Sequence, residues 1–198
     1  MINRSSLENW ILLSDASNLV DEFFGDRITY PDSDFYSRKR GVNQVIPEEF
    51  YPLLLLAKHL PTATSVRLSP NSLSGPDGAI LLEDESEITI QVTMSHERSD
   101  GYKIRQSLRD YGTWSSKVFN TNDVIKQRLE RILDAIKDKE ANFHAGTDML
   151  LIVDESISWG DIIDPGLPDA LEIALGQFPK SSYSAIYVAF GKDVRQVR

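Results

Sequence analysis

The sequence predicts an α/β protein built on one mixed central sheet flanked by helices. Three observations carry that reading. Between Ile88 and Met94 apolar and polar residues alternate, as on a half-buried strand. Met149–Val153 is a nearly continuous apolar run, the pattern of a strand covered on both faces and often parallel to its neighbours. Between them Ile125, Leu129, Ile132, Leu133, Ile136 and Phe143 fall on one stripe at helical spacing.

Taken in order, Ser5-Ser6-Leu7-Glu8 has the form of a capping box, with Ser5 at the N-cap. Leu7, Trp10 and Ile11, then Val20, Phe23 and Phe24, suit one helix or two short ones ending near Gly25. Residues 26–46 are polar, so 1–46 reads as an N-terminal helical extension and loop, and 47–198 as the α/β domain. A helix is expected from about Pro47, with Phe50, Leu53, Leu54, Ala57 and Leu60 inward. Pro52 lacks an N–H and must kink that helix or mark its true start. Thr64–Ser69 suits a strand. Ala79–Leu82 and Ile88–Met94, joined by the acidic turn at Glu83-Asp84-Glu85-Ser86, suit a hairpin. Residues 100–112 suit a short helix carrying Lys103, Arg105 and Arg109. Residues 122–143 and 168–178 suit two more helices, and Ala185–Phe190 a last strand.

Composition removes several chemistries. The chain has 198 residues and no cysteine, which excludes disulfides, thiolate zinc sites and cysteine nucleophiles. Its three histidines, His59, His96 and His144, lack the paired spacing of a catalytic zinc site. There is no nucleophile elbow, Walker loop or dinucleotide fingerprint. The N-terminus Met1-Ile2-Asn3-Arg4 lacks a secretory apolar core, and the run Leu53–Ala57 is too short to span a bilayer. A cytoplasmic protein with no membrane partner is the expectation. The formal charge of −9 is unevenly spread: Gln91–Lys139 holds ten Lys and Arg against seven acids, while Glu140–Phe178 holds eight acids and no Lys or Arg. Any DNA must therefore meet a local basic patch in the middle third, where a mixed solvated face is the plainer alternative.

One polar constellation remains. Pro76-Asp77-Gly78 opens the hairpin, and Gln91 and Thr93 share a face of its second strand. A turn centred on Asp84 and Glu85 sets Asp77 opposite Val92, beside Gln91 and Thr93 but on the other face, so a bulge or the strand end must turn it.

The order αβββαβ, with Pro-Asp opening a hairpin and two polar residues at i, i+2 on its second strand, resembles the restriction-endonuclease-like core of PD-(D/E)XK nucleases. The resemblance covers roughly residues 47–153. It implies a metal-dependent nuclease cleaving DNA phosphodiesters, with Mg²⁺ or Mn²⁺ as cofactor. Asp77 matches the first acid of the motif, Gln91 a variant of the second, and Thr93 stands where the family has lysine. Some members carry an extra acid on the first core helix, which points to Glu49; first-turn stabilisation of that helix is the competing role. Others supply the lysine from the helix after the motif. At ~100° per residue, Lys139 lies nearer the apolar stripe than Lys126, Arg128, Arg131 or Lys137, though Glu140 lies nearer still and suits a boundary pair with it. Lys103, Arg105 and Arg109 would contact DNA phosphates. The acidic composition and the missing motif lysine fit an alternative: a catalytically inactive nuclease-fold module that binds a protein partner.

Overall fold

The computed structural model describes residues 3–24, 45–70, 75–95, 121–154, 166–176 and 180–198, with the side chains of 121–124 excepted. Helix α1 (Arg4–Leu7) starts from Asn3, not Ser5: the Asn3 side chain accepts the Ser6 N–H at 2.9 Å, and Ser6 answers as the other half of the box. Strand β1 (Ile11–Leu12) and helix α2 (Leu13–Phe24) follow. A π-helical turn (Ile46–Phe50) runs into α3 (Tyr51–His59), then β2 (Ala63–Leu68), β3 (Gly78–Leu82) and β4 (Glu87–Met94). The long helix α4 (Thr121–Ala141) leads to β5 (Met149–Asp154), α5 (Gly166–Leu175), β6 (Ala185–Phe190) and β7 (Asp193–Gln196). The π turn stands where Pro52 cannot donate to the preceding helical turn, the local adjustment that proline demands.

Among the described residues seven strands form one sheet in chain order, β1 to β7. Pairing is antiparallel from β1 to β4, parallel from β4 through β6, and antiparallel again at β7. This is an α/β protein with a mixed seven-stranded sheet flanked by helices. The parallel strands explain the apolar runs, because alternate residues serve opposite layers. Leu151, Val153, Tyr187 and Ala189 join a core with Leu53, Leu54 and Phe50, while Leu150, Ile152, Val188 and Phe190 join another with Ile132, Ile136 and Leu171. Leu7, Ala16 and Val20 belong to the first of these cores, so the N-terminal helices pack on the same sheet.

The β3–β4 register differs by one residue from the expected one. Leu82 N–H bonds Ser86 O, closing a three-residue turn over Glu83, Asp84 and Glu85, with Glu85 at φ 66°. Three-residue hairpins take this left-handed residue at their end. The odd loop sets Gly78 opposite Ile90, which carries Asp77 to Gln91 and not to Val92. Strand β7 follows the Gly191-Lys192 turn, with Gly191 at φ 65°; this two-residue turn was the available signal for it. The expected helix at 100–112, with Lys103, Arg105 and Arg109, lies outside the described residues. No helix among the described residues is long and apolar enough to cross a membrane.

Candidate active site

Asp77 is held by the strand it faces. Its backbone N–H donates to Ile90 O at 2.9 Å, and its carboxylate Oδ2 accepts the Val92 N–H at 2.8 Å. The two bonds bracket Gln91, and the carboxylate stands in for a backbone acceptor where β3 leaves the ladder. Gly78 makes this approach feasible. A Cβ there would lie 2.6 Å from Leu53 Cδ2 and 2.7 Å from Arg67 O, so only glycine lets β3 begin this close to α3 and β2.

Charges from both helical layers reach Asp77. Burial pushes its carboxyl above the ordinary carboxylate range, while the Val92 N–H and the positive charges of Lys139, Arg4 and His144 pull it partly back. Glu49, in the π turn, is raised by burial as well; Arg4 opposes the rise, and the negative charge of Asp77 adds to it. The Asp77 charge thus adds to the cost of ionising Glu49 in a partly dry setting. Arg4 Nη1 donates to Glu49 Oε2 at 3.4 Å, and its Nε lies 3.5 Å from Glu8 without a hydrogen-bond partner among the described residues.

Gln91 points to the α4 side of the sheet, opposite to its neighbours Ile90 and Val92. It is buried, 4% exposed, and its Oε1 accepts the Tyr183 hydroxyl at 2.7 Å. That hydroxyl also reaches Lys139 O at 3.3 Å, while the Tyr183 ring meets Phe143 edge-on at 5.0 Å. Burial first, then the charges of Glu140 and Asp77, push the Tyr183 phenol up to about 12, so it stays a neutral donor. Glu140 does not pair with Lys139. It accepts from the Ser181 hydroxyl and from Ser182 N–H at 3.0 Å, anchoring the segment that delivers Tyr183. Thr93 is half-buried, two residues further along β4 and level with Ile152.

Near the start of β3 Asp77 therefore feels the charge of Lys139 and acts on Glu49, with Arg4 and His144 added by the fold, while Gln91 meets Tyr183 on the α4 side. Neither Arg4 nor Tyr183 carries a local sequence signal; each meets its partner across a long stretch of chain. At the far end of β5 the buried Asp154 is matched by Arg128, whose Nε donates to Oδ2 at 3.0 Å, and by the Ser95 hydroxyl. Among the described residues no three His, Asp or Glu side chains group as a metal-holding set. Asp77 and Glu49 are two. Magnesium is commonly held by one or two carboxylates, with water and substrate phosphates completing its shell, so this pair fits its donor chemistry. No protein-family model matches the chain, and no curated protein or solved structure matches it.

Proposed function

We propose that this protein is a metal-dependent nuclease of the PD-(D/E)XK type, cleaving DNA phosphodiesters. The observation that carries the reading is the placement of Asp77 at the open end of the β3–β4 hairpin, bracketing Gln91, with Glu49 and Lys139 within reach of its charge. The antiparallel β2–β3–β4 followed by parallel β5 and β6 supports a restriction-endonuclease-like core.

Asp77 and Glu49 would hold Mg²⁺ or Mn²⁺; Gln91 has one carbonyl lone pair left beside its bond to Tyr183. Such an ion activates water and neutralises charge at the phosphodiester. The chain's own residues do the rest. The Val92 N–H fixes one Asp77 oxygen and leaves the other for the ion. Lys139 supplies the positive charge that position 93 lacks, set to stabilise negative charge growing on the phosphate oxygens. Lys103, Arg105 and Arg109 would hold the DNA backbone through phosphate contacts that position it without reading sequence.

A second reading has its own observation. The Gln91 carbonyl already serves Tyr183, and Arg4 already neutralises Glu49, as in a nuclease fold that binds a protein partner and has lost catalysis. The deciding experiment incubates the protein with plasmid and single-stranded DNA in Mg²⁺ or Mn²⁺, beside Asp77→Asn. Cleavage by the wild type alone supports the nuclease. Intact DNA together with no Mn²⁺ binding overturns it in favour of the binding module.

A further inference from the structure

Arg4 lies at the N-terminus, far in sequence from the hairpin, yet its charge reaches both carboxylates of the proposed site. Its backbone is fixed on either side. Asn3 caps α1 with its side chain, and Leu7 is fully buried in the sheet core. The guanidinium, by contrast, is poorly served. It holds Glu49 at 3.4 Å, lies 3.5 Å from Glu8, and buries an Nε that has no hydrogen-bond partner among the described residues. Both members of the Arg4–Glu49 pair keep over a quarter of their side-chain surface exposed, at 27% and 29%, so a hydrated ion can reach Glu49 from solvent.

We infer that Arg4 is a resident counter-cation of the site, and that its guanidinium and an incoming divalent ion compete for the Glu49 carboxylate. A long pair is one that a small divalent cation displaces readily, because the ion offers Glu49 a shorter and more highly charged partner. Without the ion, Arg4 offsets the repulsion between Glu49 and Asp77; with it, the guanidinium is released toward solvent and any bound anion. The inference rests on the proposed cation site, and its failure is distinguishable from failure of that site.

The test is a Mn²⁺ titration of the full chain by calorimetry, with no DNA present. Wild type, Arg4→Gln, Glu49→Gln, the double variant and Asp77→Asn are compared, with thermal melts to verify folding. Arg4→Gln should bind Mn²⁺ about tenfold tighter, equivalent to about 1.4 kcal/mol. In the Glu49→Gln background the same change should alter affinity less than about twofold, the signature of an effect that runs through Glu49. Should Arg4→Gln melt early, Arg4→Met keeps the apolar stem and takes its place. Unchanged or weaker binding overturns the competition, as does an equal gain in both backgrounds, which would reflect general charge alone. Mn²⁺ binding indifferent to Asp77→Asn, or no binding by any variant, overturns the cation site itself.

Discussion

Asp77 and Val92 are joined by a side chain doing the work of a backbone carbonyl: the carboxylate Oδ2 accepts the Val92 N–H at 2.8 Å just before β3 begins. A candidate catalytic acid is therefore also part of the sheet, and removing it has consequences for both stability and chemistry. Alanine would leave the Val92 N–H without that acceptor, at about 1–3 kcal/mol if no water replaces it. Asparagine keeps an acceptor and is the cleaner probe.

Asp77→Asn should raise the melting temperature at neutral pH while removing Mn²⁺ binding. The Asp77 carboxyl is raised in the folded state, chiefly by burial, so its ionised form costs stability above the folded pKa. As pH falls through that raised value toward the ordinary carboxylate range of about 3.9, the cost disappears. The difference between variant and wild type should thus be full at neutral pH and close on acidification. Melts across that range check it, and a wild type more stable than the variant at neutral pH contradicts it.

Gly78→Ala should destabilise the fold by about 1–3 kcal/mol, the usual cost of forcing atoms into a packed site. Its Cβ would meet Arg67 O at 2.7 Å, and a backbone oxygen inside a β ladder cannot step aside as the Leu53 methyl can. Because β3 must then shift, Mn²⁺ affinity should fall together with the urea midpoint. Unchanged unfolding would show that the start of β3 has slack.

Tyr183→Phe should cost about 1–3 kcal/mol, because it leaves the buried Gln91 carbonyl without its donor. Adding Gln91→Met should recover much of that loss, since removing both polar partners is far cheaper than orphaning one. A double-mutant cycle by urea unfolding measures the coupling. Strictly additive effects would mean the pair is not coupled.

Lys139→Met should reduce DNA cleavage at least ~100-fold, the scale of losing one charge that stabilises the transition state. Stability should change little, because methionine keeps the apolar stem. Lys137→Met is the control, its amine lying on the exposed flank 3.2 Å from Asp134. Gel assays under one metal condition compare the two. Equal losses would remove the special role of Lys139.

The periodicities of the sequence were enough for much of the fold. Alternation along Ile88–Met94, the apolar run at Met149–Val153 and the stripe from Ile125 to Phe143 are local signals, and β4, β5 and α4 appear where they fall. The same alternation put Gln91 on the face of β4 opposite to Ile90 and Val92. Tertiary structure decided the rest. A one-residue difference in turn length, taken up by Glu85 in a left-handed conformation, moved Asp77 from Val92 to Gln91. Residue type at an acidic turn does not settle such a count. Strand β1 is two residues long, too short for any alternation, and exists because β2 offers it an edge. Arg4 meets Glu49 across 45 positions, and Tyr183 meets Gln91 across 92. Such contacts leave no periodic trace, because they depend on where helices pack and not on which residues neighbour one another in the chain.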